Sequence, residues 1–178
     1  LGENVTEITT DYCFTNLFYL CDNLMTAPKL PATTLTRGCY YCMFGGCTLL
    51  AIHSLTDTRV FFNRPIKLPA MTLVPNCYKN MFEGCTTLIK TPELPATTLA
   101  ERCYESMFQG CSMLQSAPDI LPARHLKPFC YSNMFRDCIR LQVAPELPAL
   151  SVPSEYVSIP TGGYDAGAYS WMFYGCSS

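Results

Sequence analysis

The sequence predicts an α+β repeat solenoid, a right-handed superhelix in which each unit supplies a short parallel strand and a short helical turn. The first observation is a nine-residue cassette, typified by CYESMFQGC, that recurs at 13–21, 39–47, 77–85, 103–111, 130–138 and 168–176. The second is a proline-containing segment that follows the cassettes. One unit cannot bury its own apolar side chains, whereas stacked units can share a continuous core.

The spacing of the cassettes sets the repeat length. Their central phenylalanines are Phe18, Phe44, Phe82, Phe108, Phe135 and Phe173. The successive gaps are 26, 38, 26, 27 and 38 residues, so 26 is the basic period and two units carry insertions. We therefore expect residues 1–178 to form a single domain of six units. No signal peptide is visible, since Leu1 is not a natural start, and the sequence stops at Ser178 just before the leucine of the sixth unit would come, so we expect a piece of a longer array.

Each unit is predicted to contain two regular elements. The proline segments read LMTAPKLPATTL, PIKLPAMTL, LIKTPELPATTL, LQSAPDILPARHL and LQVAPELPALSV, at 24–35, 65–73, 88–99, 114–126 and 141–152. We expect each to be a short strand with its prolines at the ends, where a missing N–H is tolerated. The pattern Y-x-x-M-F-x-G predicts one or two helical turns that end at a glycine, such as Gly84 or Gly110.

The combined pattern C-Y-x-x-M-F-x-G-C-x-x-L-x-x-A-P-x-L-P resembles the BspA-like leucine-rich repeats of bacterial surface proteins. Met-Phe stands where that family has Ala-Phe, and the first cysteine replaces a core aliphatic residue. The 26-residue period also lies in the leucine-rich range. The resemblance implies a leucine-rich-repeat-like fold and a role like that of bacterial cell-surface adhesion proteins.

Composition excludes some functions and favours a location. The net charge of −2 and the 15% of charged residues do not indicate the basic surface of a nucleic-acid-binding protein. No apolar run reaches the roughly 18 residues that span a bilayer. Twelve cysteines favour an extracellular or cell-surface setting.

The cysteines form two columns, one at each end of the cassette, with Cys42 outside both. They could be buried thiols, disulfides within a unit, or bridges between units. Eight residues of helix separate Cα atoms by about 12 Å, too far for a disulfide unless the chain reverses. A C-x-x-C at 39–42 lacks the second pair that a zinc site needs, so no metal or cofactor is expected. Cys42 occupies the position of Asn80, Ser106 and Asn133 in other copies and is expected at the surface.

Two sets of residues are candidates for a binding face. The first is a ladder of tyrosines that follow the first cysteine position: Tyr40, Tyr78, Tyr104, Tyr131 and Tyr169. If the cysteines point inward along an extended chain, these rings point outward, as a contact surface for protein or sugar or as a shield for the helix flank. The second is a row of charges in the proline segments: Lys29, Lys67, Glu93, Asp119 and Glu146. This row is either a charge gradient for a polar partner or a merely solvated face.

The two insertions are further candidates. One covers about 53–64 and the other about 151–167, and the second holds Tyr156, Tyr164 and Asp165. Loops inserted in repeats often bind partners, although equal insertions also suit a widened coil.

The sequence predicts a class of function. No P-loop, G-x-S-x-G, H-E-x-x-H or G-x-G-x-x-G is present. We expect a non-enzymatic surface or secreted module that binds a protein or glycan. The alternatives are a structural spacer in a larger surface protein and a thiol-dependent enzyme that uses Cys42.

Overall fold

The six cassettes fold as uninterrupted runs of tight turns. The computed structural model describes residues 5–50, 66–148 and 167–176. The turn runs cover 11–20, 37–46, 75–84, 101–110, 128–137 and 168–175. Within these described ranges no residue lies in a helix, and the β-structure consists of isolated parallel bridges. The predicted α+β solenoid of strands and helical turns is therefore wrong.

A left-handed backbone at every fourth residue explains why no helix forms. In the third cassette Asn76, Asn80 and Gly84 have φ of 59°, 56° and 69°. An α-helix needs φ near −63° at every position, so each such residue interrupts it. Asparagine and glycine tolerate this conformation, whereas most other residues are strained in it. The glycine predicted to end a helix is thus the last of a series of left-handed positions.

Backbone hydrogen bonds alternate between the turn and the neighbouring unit. The N–H of Lys79 donates to the carbonyl of Asn76 at 3.2 Å, which closes a turn within the unit. The next N–H, that of Asn80, donates to Glu105 of the following unit at 2.9 Å. A helix would satisfy both groups internally, whereas here half of the donors hold adjacent units together.

The proline segments do not form continuous strands. Parallel bridges join Lys90 to Ser116 and Ser116 to Val143, each between equivalent residues of successive segments. Further isolated bridges are Glu7–Thr34, Thr72–Thr98 and Ile120–Glu146. Proline has no N–H to donate, so a ladder cannot extend through Pro92 and Pro95.

The core is a set of side-chain columns that run through the stacked turns. The rings of Phe82 and Phe108 lie 5.6 Å apart with planes at 2°, and Phe108 stands in the same relation to Phe135 at 5.6 Å and 6°. Methionine, cysteine and leucine columns flank the rings and are fully buried at Met81, Cys85 and Leu88. Because each ring is covered on both sides only by adjacent units, the core depends on stacking.

Candidate functional site

The tyrosine ladder lies in the core and not on an exposed face. Tyr40, Tyr78, Tyr104 and Tyr131 are at most 2% exposed, and only Tyr169, in the sixth cassette, is exposed. The rings of Tyr78 and Tyr104 stack at 5.8 Å, as a second aromatic column beside the phenylalanines. The prediction that these rings point outward assumed that the chain is extended here. In a run of turns, consecutive residues such as Cys77 and Tyr78 both point inward.

The row of charges lies on the surface. Lys29, Lys67, Glu93, Asp119 and Glu146 are all exposed. The N–H of Glu146 donates to the carbonyl of Asp119 at 2.9 Å, so these two acidic residues occupy adjacent positions of neighbouring segments. Successive segments thus present lysine at one end of the row and carboxylates at the other.

A groove lies beside the two lysines. It has a volume of about 680 Å³, and the described residues that line it include Pro28, Lys29, Pro31, Lys67 and Pro69. We call it the basic groove. Proline rings supply an apolar floor, while the two ammonium groups supply the charge.

A second groove lies beside two of the carboxylates. It has a volume of about 330 Å³ and lies between segments 88–99 and 114–126, next to Glu93 and Asp119 and also to Lys90. Ile120, which lines it, has no counterpart in segment 88–99, because segment 114–126 is one residue longer. The extra residue is visible in the sequence, where LQSAPDILPARHL has 13 residues and LIKTPELPATTL has 12.

The candidate binding loop with Tyr156, Tyr164 and Asp165 lies outside the described residues, as does the insertion at 53–64.

All twelve cysteines are free thiols, and most of them are buried. In the second column each thiol from the second cassette onward donates to the carbonyl of the phenylalanine one unit earlier, as from Cys85 to Phe44 at 3.2 Å and from Cys138 to Phe108 at 3.1 Å. The columns thus serve packing and hydrogen bonding between units. Within the described ranges no three histidine, cysteine or acidic side chains are grouped so as to bind a metal ion.

Burial also sets the protonation of these thiols. Loss of solvent raises the pKa of Cys39 to about 11 and that of Cys130 to about 11, because the thiolate is poorly solvated in the core. Cys42 is buried, contrary to its expected surface position. Desolvation, followed by the negative charge of Glu83, raises the pKa of Cys42 to about 11.

Comparisons with known proteins add no relative. No family model, curated protein or solved structure matches this chain. Among the described residues, no helix has the length and apolar character needed to cross a bilayer.

Proposed function

We propose that the chain is a non-enzymatic binding module that contacts a protein partner through the face formed by its proline segments. The observation that carries the proposal is the exposed row of charges, which changes from lysine at Lys29 and Lys67 to carboxylate at Glu93, Asp119 and Glu146. A partner with acidic and basic groups in the opposite order would be recognised along its length.

Protein is favoured over glycan as the partner by the position of the aromatic rings. Sugars are commonly bound against exposed aromatic side chains, but the proline segments contain no Phe, Tyr or Trp, and Tyr78, Tyr104 and Tyr131 are buried. The exposed rings, such as Trp171, lie at the first and sixth cassettes. The proline segments instead offer apolar grooves flanked by charges, which suit side chains of a protein surface.

The resemblance to BspA-like surface repeats supports a location outside the cell or on its surface and a role in adhesion. The cysteine count no longer adds support, because free thiols in a core need no oxidising compartment. A spacer in a larger surface protein is the alternative that the binding experiment below distinguishes.

Thiol-dependent catalysis has little support. The reactive form of cysteine is the thiolate, and a pKa of about 11 keeps Cys42 protonated near neutral pH. Its neighbour Glu83 raises the pKa further, whereas an activated cysteine has a cationic neighbour.

The experiment is a binding screen followed by charge reversal. The purified chain is applied to an array of extracellular proteins and to a glycan array, and the affinity for each captured protein is measured by biolayer interferometry. We expect K29E/K67E and E93K/D119K to weaken binding at least about tenfold, which corresponds to about 1.4 kcal/mol. Raising the salt concentration should weaken the wild-type interaction as well.

The matched control is K127E/R140E, which makes the same charge change at two exposed residues outside the row. Its affinity should stay near that of the wild type. An equal loss in the control would indicate non-specific charge attraction, and binding only to glycans would replace the protein partner. A folded chain that binds nothing on either array would support the spacer.

A further inference from the structure

The second groove, between segments 88–99 and 114–126, contains a buried hydroxyl without a partner. Thr91 lines this groove and is only 4% exposed. Its Oγ1 atom makes no hydrogen bond with any of the described residues. Burying a hydroxyl without a hydrogen bond is unfavourable, and native structures rarely leave such a group unpaired. A hydroxyl of this kind in the wall of a groove indicates a polar group that enters the groove and binds to it.

Two carboxylates lie side by side at the same groove. A parallel bridge joins Lys90 to Ser116, and Glu93 and Asp119 each follow three residues after it. Paired backbones lie about 5 Å apart, so the two exposed side chains start from neighbouring positions. Among the described residues neither carboxylate has an ion pair or a side-chain hydrogen bond. Like charges at neighbouring positions repel each other, and a cation between them would remove that repulsion.

The rest of the groove wall is largely apolar. Pro92 and Pro118 line it at equivalent positions of the two segments, and Ile120, which is 43% exposed, lines it as the extra residue of the longer segment. A side chain with an apolar stem and a charged end can cover such a surface while its charge stays at the carboxylates. The volume of about 330 Å³ is at the lower end for ligand sites, which suits a single long side chain.

The charges of the groove determine the charge of its occupant. Besides the two carboxylates, the exposed Lys90 lines the groove. It lies three residues before Glu93, which is about 10 Å along an extended chain and close to the screening length at physiological salt. Two carboxylates and one ammonium leave one negative charge, so an occupant with one positive charge is complementary to the groove.

We propose that the second groove binds an arginine side chain of a partner protein, an inference that rests on the proposed function and specifies the chemistry of one contact. The guanidinium donates to the carboxylates of Glu93 and Asp119 and to the Oγ1 atom of Thr91. The stem of the arginine lies against Ile120 and the proline rings. Arginine suits the groove better than lysine, because it has five N–H donors against three and its planar head is more weakly hydrated.

The first measurement is an NMR titration of the 178-residue chain, labelled at the isoleucine δ1 methyl groups, with a blocked peptide. The peptide is acetyl-Ala-Ala-Arg-Ala-Ala-amide, compared with peptides that carry lysine or citrulline in place of arginine. We expect the arginine peptide to shift the methyl signal of Ile120 and not that of Ile139, which is exposed outside the groove. The lysine peptide should bind at least about threefold more weakly, and the uncharged citrulline peptide at least about tenfold.

Variants of the three polar groups test the geometry. Glu93→Gln and Asp119→Asn each remove one charge with little change of shape and should weaken binding of the arginine peptide at least about fivefold. Thr91→Val removes the hydroxyl and should weaken binding about threefold. The same variant should unfold at a higher temperature, because it no longer buries an unpaired hydroxyl. A merely structural role of Thr91 would not give these opposite effects on affinity and stability.

The matched control is Glu146→Gln, which removes a carboxylate of the same charged row that does not line the groove. Its affinity for the arginine peptide should stay within about twofold of the wild type, because the remaining attraction is screened. An equal loss in this control would overturn the proposal. Unchanged binding by Thr91→Val, or an affinity for the lysine or citrulline peptide equal to that for the arginine peptide, would overturn it too.

The titration and the binding screen can fail independently. A chain that binds the arginine peptide at Ile120 but captures no protein would contradict the proposed function and support the arginine site. A chain that captures a protein through the charged row but shows no shift of the Ile120 methyl signal would overturn the arginine site alone.

Discussion

The Sγ atom of Cys111 donates a hydrogen bond of 3.1 Å to the carbonyl oxygen of Phe82, which lies in the preceding cassette. That carbonyl also accepts the N–H of Cys85 at 3.1 Å, so one oxygen joins two units. The same thiol bond recurs from Cys47 to Phe18 at 2.9 Å. The second cysteine column therefore links every pair of adjacent described cassettes by its side chains.

Replacing Cys111 by alanine should destabilise the chain. The change removes a buried thiol and its hydrogen bond and leaves a small cavity, at a cost of about 1–2 kcal/mol. The measurement is the free energy of unfolding from urea titration. Cys21→Ala is the matched control, because Cys21 holds the same column position but is exposed, and we expect a change within about 0.5 kcal/mol. Equal losses in both variants would contradict a role for the thiol bond.

Thiol labelling should separate the cysteines by burial. Cys13 and Cys21 are exposed, Cys176 is partly exposed, and the other nine are buried. We expect Ellman's reagent to modify the first two rapidly and Cys176 more slowly in the native chain. The buried thiols should react only as the chain unfolds. Peptide mass spectrometry of the labelled chain identifies the sites, and rapid labelling of Cys111 or Cys103 would contradict the packing.

Stability should fall as the pH rises above about 9. The ordinary thiol pKa is 9.0, and burial raises that of Cys39 and Cys130 to about 11 in the folded chain. Below pH 9 both states keep the proton, so the stabilisation is complete. Between pH 9 and 11 the unfolded chain ionises first, and each well-buried thiol costs about 1.4 kcal/mol per pH unit.

Urea midpoints at several pH values from neutral to alkaline measure this decline. A C103A/C130A variant should show a shallower decline, since two buried thiols are absent. Ala168, which is 1% exposed, shows that alanine fits this column. An unchanged slope in the variant would assign the alkaline loss to other groups, such as the buried tyrosines.

Part of this architecture could be predicted from the sequence. Stacked units were expected to share a continuous core, and Phe82, Phe108 and Phe135 do lie in one column, because a strict repeat fixes which side chains meet when units stack. The surface position of the charged row also follows from the sequence, since a charge between two prolines has little reason to be buried.

The backbone conformation of the cassettes was harder to predict from the sequence. The Y-x-x-M-F-x-G spacing suits a helix. The competing signal was asparagine at the fourth cassette position, as at Asn80 and Asn133, and glycine at the eighth, as at Gly84 and Gly110. Both residue types favour a left-handed backbone, so their recurrence marked a series of turns. The error about the tyrosines followed from this one, because side chains alternate between faces in an extended chain but not in these turns.

The last residue with a left-handed backbone in each cassette allows two substitutions with opposite expected effects on stability. Gly110 has φ of 73°, and an added Cβ would meet only the Gly84 backbone at 3.8 Å, so Gly110→Ala should lose about 1 kcal/mol from backbone strain alone. Leu20 occupies the same column with φ of 56° and an exposed side chain. Leu20→Gly should therefore gain up to about 1 kcal/mol. Thermal unfolding of both variants checks the signs, and a loss in Leu20→Gly would contradict strain at this position.

The hydroxyl of Tyr78 should destabilise the folded chain. The side chain is 1% exposed, and its oxygen has no hydrogen-bond partner in the structure. A buried hydroxyl without a partner costs about 1–3 kcal/mol, whereas the ring contributes packing and stacking. Tyr78→Phe should therefore stabilise the chain by about 1 kcal/mol, because Phe14 already occupies this column in the first cassette and stacks on Tyr40 at 5.7 Å. Tyr78→Leu, which removes the ring as well, should destabilise it. The free energy of unfolding of the two variants decides the point, and a loss of stability in Tyr78→Phe would mean that the hydroxyl has a partner in solution.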